Sequence, residues 1–191
     1  MSEEKKTTID AEACEGMDLN GDGHISKEEM EIANKTSRPG GAVGGKRALV
    51  FRYVNENIDK NLKILDFGAG KTASQTKLLK DEGFQSVTAY DFGTNLTDEH
   101  HDKDALKKKY DVVMASNVLN TQSSEAMLET TVKDITKVLK RGGQFICNLP
   151  MSPRKFPELN AELLETVLEK HFKKVERVGG TKSAPIFKCT K

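Results

Sequence analysis

The sequence predicts an α/β protein with a doubly wound, mostly parallel sheet, preceded by a small helical unit. Two observations indicate this fold class. From residue 46 onwards, short apolar runs alternate with amphipathic helical segments, as in parallel sheets that helices cover on both faces. Before that point, a glycine-rich stretch at residues 36–45 follows an acidic helical segment. We therefore expect two units, residues 1–35 and residues 46–191, joined by a flexible linker.

Composition and charge restrict the class of protein before any motif is considered. The chain has 191 residues, of which 31% are charged and 36% hydrophobic, and its formal net charge is +1. This balance gives no global electrostatic reason to expect a nucleic acid or a membrane surface as partner. The polar start, the lack of long apolar runs and the irregular spacing of three cysteines favour a cytoplasmic protein with reduced thiols.

The spacing of apolar residues predicts the individual elements of the larger unit. Four short runs have the composition of buried parallel strands. They are Lys63–Phe67, Ser86–Tyr90, Tyr110–Ala115 and residues 144–148. Helical periodicity occupies residues 72–82 and 125–139, and a further helix is expected to begin at Pro157. Two strands at residues 174–178 and 184–190 are close enough in sequence to form an antiparallel hairpin.

Residues 18–29 match each position of the calcium-binding loop of an EF-hand. Side-chain oxygens stand at the first, third and fifth loop positions, a backbone carbonyl at the seventh, and a glutamate at the last. Gly23 permits the sharp turn in the middle of the loop. The predicted Ca²⁺ ligands are Asp18, Asn20, Asp22, His24 and Glu29. The alternative is a solvated acidic turn between two helices.

Ile25 occupies the apolar position through which EF-hand loops ordinarily pair, and the sequence contains no second loop. We therefore expect Ile25 to lack a partner. Such a loop could bind calcium weakly, pair with a second copy of the chain, or dock on the larger unit.

A glycine turn at residues 66–70 (Asp-Phe-Gly-Ala-Gly) separates the first predicted strand from the next helix. Glycines let the backbone approach a ligand, and a helix N-terminus favours a carboxylate or phosphate. A P-loop is excluded, because its first glycine would fall on Leu65. The spacing of Gly68, Gly70 and Ala73 fits a dinucleotide fingerprint, which leaves an oxidoreductase as one alternative.

Asp66, two residues before the first glycine, decides between these families. An acidic residue at this spacing resembles the first motif of the class I, seven-strand S-adenosylmethionine-dependent methyltransferases, including small phage and bacterial members. The resemblance covers residues 46–191 and extends to the Lys-Arg-Gly-Gly turn before the last parallel strand. It implies S-adenosylmethionine as the cofactor, with Asp91 binding its ribose hydroxyls. The cofactor-binding residues implied are Asp66, Phe67, Gly68, Ala69, Gly70, Asp91, Phe92, Ser116 and Asn117.

The segment between the second and fourth strands departs from the family pattern. Its length leaves room only for a vestigial third strand. An acidic contact to adenine often follows that strand in the family, and Asp102 or Asp104 would supply it here. His100 and His101 are expected to be exposed loop residues, although either could serve as a general base or a substrate contact.

Methyl transfer from a sulfonium is an in-line displacement, so positioning supplies much of the catalysis. The sequence predicts an enzyme whose acceptor is a small molecule, a protein or a nucleic acid. Residues 116–120 (Ser-Asn-Val-Leu-Asn) lack the Pro-Pro and Pro-Cys motifs of DNA amino- and cytosine-C5 methyltransferases, which disfavours both classes. The catalytic candidates are Asn117, Asn120 and His100. The alternative function is a non-catalytic, calcium-responsive module that binds S-adenosylmethionine or a nucleotide.

Overall fold

The computed structural model of the protein describes residues 9–10, 24–25, 48–150 and 156–191. Its strands are β1 (Ile9–Asp10), β2 (His24–Ile25), β3 (Lys63–Phe67), β4 (Ser86–Tyr90), β5 (Tyr110–Ala115), β6 (Leu139–Asn148), β7 (Lys174–Gly180) and β8 (Pro185–Thr190). The α-helices in this part of the chain are α1 (Leu49–Asn57), α2 (Ser74–Asp81), α3 (Glu125–Val138) and α4 (Ala161–Glu169). None of these helices is long and apolar enough to cross a membrane.

Strands β3 to β8 form one sheet in the order β4-β3-β5-β6-β8-β7. Strands β4, β3, β5 and β6 are parallel, whereas β8 is antiparallel to both β6 and β7. The fold is therefore a mixed, Rossmann-like α/β sheet, and the predicted C-terminal hairpin is confirmed. The winding direction reverses between β3 and β5, so a crevice at their carboxyl ends is the expected ligand site.

The parallel strands are buried on both faces because consecutive side chains alternate between two cores. Leu65 and Val113 belong to the core that α3 and α4 cover. Their chain neighbours Ile64 and Val112 belong to the opposite core, beneath α1 and α2. All four side chains are at most 1% exposed. The sheet is the middle of three layers, which fixes the strand ends relative to one another.

Apart from shifts of one or two residues at the ends of other elements, three elements differ from the sequence predictions. Helix α1 was not predicted. Helix α4 begins at Ala161 rather than at Pro157, because the Asn160 side chain accepts the N–H of Leu163 over 2.8 Å and caps the helix there. Strand β6 begins five residues before residue 144, so the predicted turn at residues 140–143 is a register shift within the strand.

The segment between β4 and β5 contains two short 3₁₀ turns, Gly93–Asn95 and Ala105–Lys107, and no strand. The described sheet therefore has six strands, which is what the short segment predicts. The N–H of Asp102 donates to the carbonyl of Ala89 over 3.0 Å, so the segment is attached to the outer edge of β4.

Strands β1 and β2 form a two-stranded antiparallel sheet, in which Ile9 pairs with Ile25 and Asp10 with His24. The expectation that Ile25 has no partner is wrong, because a strand outside the calcium-loop motif pairs with it. The linker at residues 36–45 and four predicted calcium ligands lie outside the described residues. Those ligands are Asp18, Asn20, Asp22 and Glu29.

Candidate functional site

A glycine turn follows β3 at the carboxyl edge of the sheet. Gly68 and Gly70 have φ angles of +75° and +72°, in the left-handed region that favours glycine. The N–H groups of Gly68 and Ala69 donate to the Tyr90 carbonyl over 2.9 and 3.0 Å, so the turn is attached to the end of β4. It presents backbone rather than large side chains at the point where the winding reverses.

Gly68 also lies against the segment that follows β5. A Cβ atom added to Gly68 would lie 2.5 Å from Cγ2 of Val118, well inside van der Waals contact. The structure thus brings together the β3 turn and residues 116–120, which contain the catalytic candidates Asn117 and Asn120.

Asp91 follows β4 and is 5% exposed. Its Oδ2 accepts the N–H of Gly70 over 2.7 Å, and its Oδ1 accepts the N–H of Phe92 over 2.8 Å. Burial raises the pKa of Asp91, although these two hydrogen bonds act in the opposite direction. Because an ionised carboxylate has about four acceptor sites, Asp91 can accept further hydrogen bonds from a ligand.

Asp66 lies near the end of β3 and is 2% exposed. The Thr76 hydroxyl of α2 donates a hydrogen bond of 2.7 Å to Oδ2 of Asp66. Burial raises the pKa of Asp66 to about 6, and the Thr76 hydrogen bond only partly offsets it. The negative charge of Asp91 raises this pKa further, which shows that the two carboxylates interact.

The two carboxylates make this part of the crevice anionic. Among the described residues, no lysine or arginine contributes to the pKa of either Asp66 or Asp91, and His101 is the one positive group that lowers the pKa of Asp91. Buried like charges are unfavourable until a cation compensates them. The site is therefore suited to a positively charged group.

Asn117 and Asn148 connect the carboxyl ends of β5 and β6. The Asn148 Oδ1 accepts the backbone N–H of Asn117, and its Nδ2 donates to Asn117 Oδ1, each over 2.8 Å. Asn117 has a φ of +58°, which asparagine tolerates better than most residues. Ser116, immediately before it, is buried. The Asn117 Nδ2 group takes no part in the pair.

A family model described as a methyltransferase domain matches residues 44–176. The chain belongs to this family. The matched residues include β3 to β6 and therefore the glycine turn, both carboxylates and the asparagine pair of the methyltransferase domain. The boundary at residue 46 stays a prediction.

Solved methyltransferases have the same fold at low sequence identity. A TehB-like S-adenosylmethionine-dependent methyltransferase from Corynebacterium glutamicum is 17% identical, with a TM-score of 0.59 over 86% of this chain and 95% of that chain. The 1,6-didemethyltoxoflavin N1-methyltransferase of Burkholderia thailandensis, solved with S-adenosylhomocysteine, is 15% identical, with a TM-score of 0.56 over 86% of this chain and 89% of that chain. The N-methyltransferase NodS of Bradyrhizobium japonicum, also solved with S-adenosylhomocysteine, is 15% identical, with a TM-score of 0.54 over 85% of this chain and 86% of that chain.

Other matched structures are longer than this chain. The chain spans 50% of a CurJ carbon methyltransferase, 65% of a second matched protein and 50% of a third, described as a methyltransferase solved with S-adenosylhomocysteine. No curated protein sequence matches the chain. These comparisons establish the methyltransferase fold and leave the acceptor open.

The two histidines of the methyltransferase domain's β4–β5 segment have different environments. His101 is only 9% exposed, so the expectation of an exposed loop residue is wrong for it. Its ring lies between Thr97 and Gly70. Nδ1 is 3.1 Å from the backbone nitrogen of Thr97, and Nε2 is 3.0 Å from the carbonyl oxygen of Gly70. His100 lies beside α2, where its Nε2 is 3.3 Å from the Nζ of Lys77.

The remaining candidates lie on two segments. Asp102 forms an ion pair with Lys108, and the hydrogen bond from Lys108 lowers the pKa of Asp102. Asp104 forms an ion pair with Lys107, in which Oδ1 lies 2.6 Å from Nζ. Asn120 follows β5, and its buried Oδ1 has no hydrogen-bond partner in the described part of the chain. Among the residues that the structure describes, no group of three or more His, Cys, Asp or Glu side chains could hold a metal ion.

Two residues of the site, Thr76 and Asn148, were missed in the sequence, and the contact of His101 with the glycine turn was not predicted. Asn148 could have been found, because it ends a parallel strand at the same edge as Asn117. Thr76 and His101 reach the site from a helix and from the shortened β4–β5 segment, and no motif marks either position.

Proposed function

We propose that the chain is an S-adenosylmethionine-dependent methyltransferase. The observation that carries this proposal is the pair of buried carboxylates, Asp66 and Asp91, beside the glycine turn of a methyltransferase-family domain. S-Adenosylmethionine carries a positive sulfonium and an ammonium group, whereas NAD carries an anionic diphosphate. The electrostatics of the crevice therefore favour the sulfonium cofactor over a dinucleotide.

In this proposal the residues predicted from the resemblance hold the cofactor. Asp91 would accept hydrogen bonds from the ribose hydroxyls, since its carboxylate has about four acceptor sites and the described protein supplies two backbone N–H groups and the Asn95 side chain. The turn at Gly68 and Gly70 would let the backbone approach the ligand closely. The full proposed set is Asp66, Phe67, Gly68, Ala69, Gly70, Asp91, Phe92, Ser116 and Asn117.

The bound cofactor would supply an electrophilic methyl group, and the protein would hold the acceptor in line and exclude water. We place the acceptor beside Asn117 and Asn120, because both follow β5 at the same edge of the sheet. The unpartnered Oδ1 of Asn120 would accept a hydrogen bond from the acceptor, which would remove the penalty of its burial. His100 is the weaker candidate, since its Nε2 lies near the Lys77 ammonium.

The acceptor is proposed to be a small molecule, a protein or a nucleic acid outside the DNA amino- and cytosine-C5 classes. Calorimetry tests the cofactor assignment first. S-Adenosylmethionine and S-adenosylhomocysteine should bind with dissociation constants on the order of micromolar, about −8 kcal/mol, and NAD should not. Tight NAD binding without S-adenosylhomocysteine binding would overturn the proposal. Transfer of a labelled methyl group to fractionated extracts separates an enzyme from the non-catalytic alternative.

We also propose that residues 18–29 bind Ca²⁺ through Asp18, Asn20, Asp22, His24 and Glu29. The backbone pairing of Ile25 with Ile9 supports this proposal, because it supplies the antiparallel partner that such loops ordinarily have. Calcium titration in the presence of excess Mg²⁺ tests it, since flexible oxygen-rich loops prefer the larger ion. Lack of saturable calcium binding would refute this part of the proposal and leave the methyltransferase assignment untouched.

A further inference from the structure

His101 connects the glycine turn to the segment that takes the place of a third strand. The ring is 9% exposed, although the sequence around it is polar. The chain closes a turn here, since the N–H of His101 donates to the carbonyl of Thr97 over 3.0 Å. The next residue, Asp102, is hydrogen-bonded to Ala89 of β4. The position of the ring is therefore fixed by backbone contacts on both sides.

The hydrogen bonds of the ring place a proton on Nε2. Nδ1 lies 3.1 Å from the backbone N–H of Thr97, which can only donate, and 3.3 Å from the carbonyl oxygen of Thr97, which can only accept, so Nδ1 has a partner with or without a proton. Nε2 lies 3.0 Å from the carbonyl oxygen of Gly70, which can only accept, so Nε2 carries the proton and donates it. Both the neutral Nε2–H tautomer and the imidazolium therefore keep the hydrogen bond to Gly70.

Gly70 is consequently held on both sides of its Cα atom. Its N–H donates to Asp91 Oδ2 over 2.7 Å, and its carbonyl accepts from His101 and, over 3.0 Å, from the N–H of Ala73. A glycine at a φ of +72° has alternative backbone conformations of similar energy. These three hydrogen bonds select one of them.

We propose that His101 is a positioning residue for the cofactor turn. Through Nε2 it fixes the direction of the Gly70 carbonyl and so keeps the Gly70 N–H on the carboxylate of Asp91. Because the peptide is trans and planar, fixing this carbonyl also fixes the Lys71 N–H in the opposite direction. The inference rests on the proposed function, since it assigns His101 a role in binding S-adenosylmethionine.

Two conservative variants separate the two nitrogens of the ring. Asparagine places its amide near the position of Nδ1, so His101→Asn can still accept from Thr97 but cannot reach Gly70. Glutamine reaches the position of Nε2, so His101→Gln can still donate to Gly70 but leaves the Thr97 N–H without its acceptor. The measurements are calorimetric affinity for S-adenosylhomocysteine and the melting temperature of the ligand-free chain.

His101→Gln should bind S-adenosylhomocysteine within about twofold of the unmodified chain, whereas His101→Asn should bind about three- to tenfold more weakly, as expected for one hydrogen bond. Equal weakening in both variants, or a loss confined to His101→Gln, would overturn the inference, because packing or the Thr97 turn would then be the relevant feature. If the unmodified chain fails to bind S-adenosylhomocysteine, the proposed function fails instead.

A measurement on the unmodified chain keeps the inference testable if a variant does not fold. The ¹⁵N chemical shifts of the His101 ring distinguish a protonated from an unprotonated nitrogen. The expected result is a protonated Nε2 that stays protonated when S-adenosylhomocysteine is added. An unprotonated Nε2 would exclude the hydrogen bond to Gly70 and overturn the inference.

Discussion

Asn117 and Asn148 hold each other through two reciprocal hydrogen bonds of 2.8 Å, one of which uses the backbone N–H of Asn117. The pair bridges neighbouring parallel strands at the edge where the glycine turn lies. Asn117 is in the left-handed region at a φ of +58°, so the pair also stabilises a backbone conformation that few residues adopt. The Asn148 side chain of β6 thus fixes the direction in which residues 116–120 leave β5.

This relationship predicts different results for two substitutions of Asn117. Both Asn117→Gly and Asn117→Ala remove the amide partner of Asn148, but alanine in addition strains the left-handed backbone by about 1–2 kcal/mol. Urea unfolding should therefore show Asn117→Gly to be the more stable variant by about 1 kcal/mol. Equal stabilities would mean that the backbone at residue 117 relaxes when the amide pair is lost.

Much of the fold could be predicted because local patterns determine it. Strands β3, β4 and β5 have the predicted boundaries, since continuous apolar runs between turn residues define buried parallel strands. Helix α1 was missed, although its Val50, Phe51 and Val54 are buried, because it directly follows the glycine-rich stretch. The start of α4 was missed because Pro157 and Asn160 both carry start signals, and the cap at Asn160 prevails.

The site was predictable only where one motif contains it. Asp66 and the two glycines lie within five residues, and Asp91 ends the next strand, so the sequence identifies them. His101 and Ile9 act through contacts with residues far away in the chain, which no local spacing encodes. Whether Asp91 and its neighbours bind the cofactor stays a prediction.

Asp91→Asn should weaken binding of S-adenosylhomocysteine by at least about tenfold. The variant loses the negative charge that strengthens hydrogen bonds from the ribose hydroxyls, and hydrogen bonds to charged groups contribute roughly 1.5–3 kcal/mol. Asp98→Asn is the matched control, because Asp98 lies on the following segment and pairs with Lys103 at the surface. Calorimetry should show unchanged affinity for the control, and an unchanged affinity for Asp91→Asn would refute the role of Asp91.

Gly68→Ala should destabilise the chain more than Gly142→Ala. Both glycines have a φ of +75°, so the backbone strain of alanine is the same, about 1–2 kcal/mol. The added Cβ meets Val118 at 2.5 Å in the first case and nothing within 4 Å in the second. Thermal unfolding of both variants measures the difference, and Val118→Ala should restore part of the loss in Gly68→Ala. Equal losses of stability in the two glycine variants would show that Val118 moves away from the added Cβ atom at little energetic cost.

Glu29→Gln should remove calcium binding, because the amide cannot replace the bidentate carboxylate at the last loop position. Calcium titrations with and without saturating S-adenosylhomocysteine measure whether the two units are coupled. If calcium tightens cofactor binding, the cofactor must tighten calcium binding by the same factor. We expect such coupling to vanish in Glu29→Gln. Identical calcium affinities in both titrations would mean that the N-terminal unit acts independently.

Asp66 should make the ligand-free chain less stable as the pH rises towards neutral. Its pKa is about 6 in the folded chain against an ordinary value of 3.8, so the folded state keeps the proton to higher pH than the unfolded state. Between these values the unfolded state binds fewer protons, and the free energy of unfolding falls with rising pH. A shift of roughly two pKa units corresponds to about 3 kcal/mol in total.

Asp66→Asn removes this titration and keeps an oxygen that can accept from Thr76. Urea unfolding at pH 5 and pH 7.5 should show the stability of the variant, relative to the unmodified chain, increasing by about 1 kcal/mol between the two pH values. Asp111→Asn is the control, because Lys140 lowers the pKa of Asp111 and confines its effect to pH values below about 4. Its relative stability should be the same at both pH values. A constant difference for Asp66→Asn as well would mean that Asp66 ionises with its ordinary pKa, so that burial in the crevice does not penalise its charge.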